Sequence, residues 1–321
     1  MMLKKILYPL SFVSAVLMVL TTSSCIDETK AKTKTAAEDS YEAPETKEST
    51  LDDGGITEAF KKYWFAGEAE ITSYTLEQAR YGEIRKGTSV LIYVTEPFLP
   101  EKQVKADYNN PENIQVLKLN ATKNFLTGIY PYSIMSSTFY PLKDDQHAIK
   151  TSFSSQEWCG QVYAQINNRE QFEITSHSYF EREADETFGL PKNWMENEIW
   201  NKIRIAPENL PQGKVKMIPS LEFLRLKHGK VQAYDAETTL VAKGDMYEYF
   251  ISYPDLKRDL NITFSKTFPH SIESWSETFV SGYGPNAKTL TTTGKKLKQL
   301  KTAYWSQNSN KYLVLRDSLG I

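Results

Sequence analysis

From residue 89 to residue 264 the chain repeats one pattern: a short segment rich in β-branched and aromatic residues, followed by a tight-turn signal. The segments are SVLIYVTEPF (89–98), VYAQIN (162–167), QFEITSHSYF (171–180), MYEYFISY (246–253) and LNITF (260–264). The turn signals are Lys86-Gly87, Asn167-Asn168, His228-Gly229, Lys243-Gly244 and Asn308-Ser309-Asn310. In the third segment Phe172, Ile174 and Phe180 share one face, and Glu173, Thr175, His177 and Tyr179 share the other, the period of a half-buried strand. Strands joined by tight turns pair as antiparallel hairpins and meanders, because parallel pairing needs long crossovers. The expected fold is mainly β (α+β), a large antiparallel arrangement with a few helices. Either one strongly curved sheet folds over a helix, or two sheets pack together.

Two helices interrupt the pattern. In residues 56–65, Ile56, Ala59, Phe60, Tyr63 and Trp64 recur at helical spacing, and Gly67 follows as a stop. In residues 194–204, Met195, Ile199, Trp200 and Ile203 form one stripe, with Asn193 as the expected cap and Glu196 three residues on. No internal repeat of 20–50 residues occurs, so solenoids and propellers are excluded.

The 321 residues carry 38 Lys+Arg against 40 Asp+Glu, a formal charge of −2, which gives no basic excess for nucleic acid. At 40% hydrophobic and 12% aromatic the chain can bury a core, and with two cysteines it is not a disulfide scaffold.

The N-terminus reads as an address. Lys4 and Lys5 precede a 15-residue apolar run, Ile6 to Leu20. A spanning helix needs about 20 apolar residues, so this is the core of a signal peptide. Thr22-Ser23-Ser24-Cys25 resembles the lipobox of bacterial lipoproteins, with Thr22 where that motif usually has Leu. The resemblance implies removal of residues 1–24 and a lipid on Cys25. Removal takes away Lys4 and Lys5 and no acidic side chain, moving the formal charge from −2 to −4. Residues 26–53 hold nine acidic and four basic side chains and, as large apolar or aromatic residues, only Ile26, Tyr41 and Leu51. Such a segment cannot offset its ordering entropy by burial and is expected to be a flexible acidic tether, with a root-mean-square span of roughly 30 Å. The expected organisation is signal peptide 1–24, lipidated Cys25 and tether 25–55, and a β-rich body 56–321, one unit or two lobes with a break near 190. Ile26 after the cysteine, in place of Asp, favours the outer membrane by analogy with lipoprotein sorting, on the periplasmic or the external face.

The body shows little catalytic signature. Cys159 lies in Trp158-Cys159-Gly160, where a thioredoxin-like site would have a second cysteine, but residue 162 is Val. A buried structural role for Cys159 is expected, rather than a nucleophile with His177 as its base. His147, His177, His228 and His270 show no metal-ligand spacing, and Glu181, Glu183, Asp185 and Glu186 read as a solvated connection. No phosphate loop, dinucleotide fingerprint or nucleophile elbow occurs, and no cofactor is expected. Residues 125–141 are denser in apolar side chains than a single strand pair requires. The plain reading is a central strand pair inside the core; the sharper one makes Phe125, Ile129, Tyr130, Tyr132, Met135 and Phe139 the wall of a groove for an apolar ligand or a partner.

The runs Gln78-Ala79-Arg80-Tyr81-Gly82-Glu83, Thr127-Gly128-Ile129-Tyr130-Pro131-Tyr132-Ser133, Gln156-Glu157-Trp158-Cys159-Gly160-Gln161, Glu198-Ile199-Trp200, Ile218-Pro219-Ser220 and Leu224-Arg225-Leu226-Lys227-His228 resemble a family of envelope lipoproteins. The resemblance covers most of residues 56–321. Members of that family often carry the label "septum formation inhibitor Maf". Genuine Maf pyrophosphatases have an S-x-S-P-R-R motif and alternating β and α segments, neither of which this chain contains. The resemblance therefore implies architecture and location only. The leading expectation is a non-enzymatic lipoprotein held to the membrane by its N-terminal lipid, binding an apolar ligand or an envelope protein. The alternative is a hydrolase of glycan or peptide. A cleft with two nearby carboxyl groups and aromatic platforms would mark the hydrolase, and an apolar cavity without clustered charge would mark the binder.

Overall fold

A computed structural model describes residues 56–143 and 147–321, and 56% of the described residues lie in strands. Cys25 and the tether lie outside the described residues. The first half runs α1 (Glu58–Trp64), β1 (Ala69–Arg80), β2 (Glu83–Leu99), the two-residue β3 (Val104–Lys105), β4 (Ile114–Thr127), β5 (Tyr130–Pro141), β6 (Lys150–Glu157), β7 (Gly160–Asn168), β8 (Phe172–Ser178) and β9 (Asp185–Leu190). The second runs β10 (Trp194–Met195), α2 (Glu196–Ile205), β11 (Gly213–Ile218), α3 (Leu221–Lys227), β12 (Tyr234–Lys243), β13 (Met246–Tyr253), β14 (Arg258–Ser265), β15 (Ile272–Ser281), β16 (Lys288–Thr302) and α4 (Val314–Leu319).

All sixteen strands described belong to one curved, unclosed sheet, which settles the choice between the two arrangements in favour of a sheet folded over helices. Its order is β10 to β16, then β1, β2, and β4 to β9, with β3 beside β2. Each half is a meander of neighbouring strands, and the halves join where β1 pairs antiparallel with β16, Ala69 opposite Thr302. Only β10 and β11 run parallel, with α2 in the crossover between them. The two edges of the sheet, β9 and β10, are joined by residues 191–193, so Leu190 and Trp194 are at most about 15 Å apart. The expected break near 190 is thus the point where the chain steps from one edge of the sheet to the other.

Alternation along the strands puts one large core on the concave side, against Met195 at the start of α2, Ile199 and Ile203 of α2, and Leu221 and Leu224 of α3. A smaller cluster on the convex side, Ala69, Ile71, Val90 and Val94, is covered by Leu319 of α4. Lys86-Gly87 is not a turn, because both residues sit inside β2. Gly87 is there because β4 passes too close for a side chain, and a Cβ would meet the carbonyl oxygen of Asn124. Gly294 of β16 has the same use on the concave side, where the Trp275 ring lies against it.

The first helix begins at Glu58, capped by Thr57 Oγ1, which accepts from the Phe60 amide at 3.2 Å. The second starts two residues later than its apolar stripe suggests. Asn193 does not cap it. Instead the Glu198 carboxylate accepts from the Met195 amide at 3.1 Å. Helices α3 and α4 were not expected. Ser220 caps α3 by accepting from the Phe223 amide.

Candidate functional site

α2 carries Glu196, Glu198, Asn201, Lys202 and Arg204, all 3% exposed or less. A surface helix would turn these to water, but this one lies inside the curve of the sheet with both faces covered. Burying so much charge is tolerable only where each group is paired. Arg204 makes a bidentate pair with Glu70 of β1, both bonds 2.7 Å, with its guanidinium over the Trp64 and Tyr93 rings. Glu196 is held by both terminal nitrogens of Arg258 on β14, at 2.5 and 2.7 Å, while Arg258 Nε donates to Glu277 of β15 at 2.6 Å. Glu198 accepts from the Ala148 amide at 2.7 Å and pairs with His147 Nδ1 at 2.8 Å, and Asn201 donates to the Leu117 carbonyl at 2.7 Å. Burial alone would raise the Glu70 and Glu196 carboxyls. The arginine beside each overcomes that and holds both below the ordinary carboxylate range.

Between α2, α3 and the walls formed by β2, β4, β5, β14 and β15 lies a cavity of about 70 Å³. Its lining is mixed: five charged side chains share it with Leu91, Leu119, Leu260 and the rings of Trp200 and Trp275, which meet edge to face at 5.6 Å. Lys123 of β4 donates to Glu222 of α3 at 2.7 Å. Burial pushes the Glu222 carboxyl up, Lys123 opposes the shift, and nearby Glu277 adds to it. Ser89 of β2 lines the same space, 1% exposed, and its hydroxyl has no hydrogen-bond partner.

The other notable surface is at one end of the sheet, where the turns β1–β2, β4–β5, β6–β7, β8–β9 and β15–β16 surround the C-terminal end of α3. The turn side chains touch in sequence. Lys227 lies 5.6 Å from the Tyr283 ring, Arg80 donates to the Leu226 carbonyl and covers Tyr81, and Tyr81 and Tyr132 share a 2.9 Å hydroxyl bond. Tyr130 is 6.4 Å from Trp158, Tyr179 donates to Glu157 at 2.9 Å, and Arg225 covers Phe180. Ile129 at 80%, Trp158 at 67% and Leu126 at 59% exposure protrude from this rim.

The six residues expected to form one groove wall are distributed over three places. Phe125 and Tyr132 stack on the concave side with centroids 5.0 Å apart, and Tyr130 follows them. Met135 and Phe139 face the convex side, Phe139 against Phe98, because they are an odd number of residues from Tyr132. Ile129 occupies the turn. Cys159 is not buried. It is exposed in the β6–β7 turn, where its amide donates to Glu157 Oε2 at 2.8 Å and Glu157 pushes the thiol up. The preceding strand ends at Glu157, so the β pattern that suggested burial does not reach the cysteine.

The histidines are spread out: His147 on Glu198, His177 on Asp185, His228 on Glu183 and His270 on the Ser265 carbonyl. No group of three or more His, Cys, Asp and Glu among the described residues is placed to hold a metal. The buried polar face of α2 went unread in the sequence, since its partners Glu70, Leu117 and Arg258 lie on remote strands.

No family model matches the chain, and no curated protein matches it. It is similar to the crystal structure of a β-barrel-like protein of domain of unknown function DUF1849 from Brucella abortus. The two are 10% identical, with a TM-score of 0.44, over 73% of this chain and 97% of that one.

Proposed function

We propose that this chain is a non-enzymatic envelope lipoprotein, anchored through Cys25, that binds a partner protein with the rim at one end of its curved sheet. The observation that carries this reading is the pair of protruding side chains Ile129 and Trp158 on two neighbouring turns, with the Tyr130 ring 6.4 Å from Trp158. A tight hairpin turn needs glycine or small polar residues, and Gly128 with φ +60° supplies that conformation; neither an exposed Ile nor an exposed Trp is required by the fold. Exposed aromatics flanked by arginine are the anchors that protein interfaces favour.

The interior argues against the other readings. An apolar ligand would need a larger cavity free of clustered charge, and the space under α2 is small and holds five charged side chains among its lining. The cluster of Glu196, Glu222 and Glu277 near two tryptophans has the ingredients of the hydrolase reading. Yet about 70 Å³ is well under the roughly 300 Å³ at which ligand pockets begin, and Glu196 is spent on Arg258.

A photo-crosslinking amino acid placed at Ile129 or Trp158 in the anchored protein tests the proposal. A discrete adduct from these positions, and none from Val241 on another part of the sheet, is expected. An identical adduct pattern at all three positions, or none at any, overturns it.

A further inference from the structure

The cavity between α2, α3 and the sheet has an unusual balance of charge and hydrogen-bonding capacity. Three carboxylates line it, Glu196, Glu222 and Glu277, against two cations, Lys123 and Arg258. All three nitrogens of Arg258 are engaged, Nε on Glu277 and both terminal nitrogens on Glu196. Glu222 accepts from Lys123 and Glu277 from Arg258, each through Oε1. The Ser89 hydroxyl, 1% exposed, lines the same space with no hydrogen-bond partner among the described residues, so a buried acceptor stands unused beside the carboxylates. One uncompensated negative charge in a buried setting is costly unless a proton or a cation neutralises it. Two indole rings complete the walls, and indole faces are the best aromatic partners for a cation.

We propose that this cavity binds a small organic cation of the alkylammonium class. About 70 Å³ accommodates several water-sized volumes, which suits a head of a few heavy atoms and not a sugar or a lipid tail. An ammonium with N–H groups satisfies the Glu222 and Glu277 oxygens and Ser89 together, while its alkyl part lies against Trp200 and Trp275. Six lining residues, Ala121, Lys123, Asn197, Trp200, Ser220 and Glu222, are only half-buried, so the space is not sealed. The groups facing Glu222 are Lys123 from β4, Glu277 from β15, Arg258 from β14 and Glu196 from α2. Because burial favours the protonated Glu222, a bound cation competes with that proton, and binding tightens as pH rises.

Calorimetric titration of the full-length protein with methylammonium, ethanolamine and tetramethylammonium chlorides, against sodium chloride and sodium acetate at equal ionic strength, tests this. Saturable binding of methylammonium or ethanolamine, absent with sodium and acetate, is expected. Glu222→Gln should weaken it at least tenfold. Ser89→Ala should weaken the two N–H-bearing probes several-fold and leave tetramethylammonium unchanged. Melting curves establish that each variant folds, and Glu277→Gln provides an independent removal of charge if Glu222→Gln unfolds. No saturable heat up to 100 millimolar (roughly −1.4 kcal/mol), acetate binding in place of the ammonium probes, or binding indifferent to both carboxylate variants overturns the proposal.

Discussion

Cys159 shows how one neighbour sets a side chain's chemistry. The thiol is exposed, yet the Glu157 carboxylate beside it disfavours the thiolate, the reactive form. Alkylation by iodoacetamide is therefore expected to be slow at neutral pH and to accelerate only above the ordinary thiol range. Glu157→Gln should raise the neutral-pH rate severalfold while the alkaline rate stays the same. A wild-type rate at pH 7 equal to that of free cysteine would sink this reading. Tyr132 and Met135 show the same local control through geometry. Three residues apart on one strand, they face opposite sides, and that pleat splits the apolar run 125–141 between the core, the rim and the convex face.

Among the elements, α2 depends most on distant residues. Removing one partner of its buried pair, by Arg204→Ala or Glu70→Ala, should cost about 3–5 kcal/mol, because the other charge is left buried and alone. Urea denaturation measures it, and a loss under 1 kcal/mol would show that the pair does not anchor the helix. Glu70 and Glu196 sit below their unfolded value of about 4.3. Their contribution is therefore full above that value and is lost as pH falls through it toward the lower folded values. Glu222, shifted up, acts in the opposite sense and favours the folded state in acid. With Glu70, Glu196 and the more exposed Glu157 depressed against Glu222 raised, urea midpoints should fall steeply below about pH 4.5, and less steeply in Glu70→Gln. A midpoint independent of pH from 7 to 3 would contradict this. The strands and the apolar stripe of α2 were legible in the sequence because both are periodic over a few residues. The polar face of α2 was not, since Glu196 gives no local sign of meeting Arg258 on β14. Nor was α3, whose seven residues follow Pro219-Ser220 in a region of strand-like composition. The cavity is a product of the same long-range pairings, and no spacing in the chain announces it.

For the whole molecule, Cys25→Ser is expected to move the protein from the membrane fraction to the soluble or unprocessed fraction. Unchanged membrane association with a cleaved, unlipidated N-terminus would refute the anchor. The three-residue step between the sheet edges has a consequence for how the chain finds its structure. As the chain is ordered, the meanders grow from nearby residues, but joining them requires β1 to meet β16, with Ser73 and Lys298 225 positions apart. That closure over a long loop is entropically costly and slow. Opening the body between Lys192 and Asn193, both outside strands, and linking Ile321 to Ile56 with glycine and serine would turn the β1–β16 contact into a near-neighbour pairing. Such a circular permutant, with its ladder almost in chain order, should reach the same far-ultraviolet spectrum and refold faster than the natural connectivity. Equal or slower refolding would mean that pairing β1 with β16 does not limit the rate.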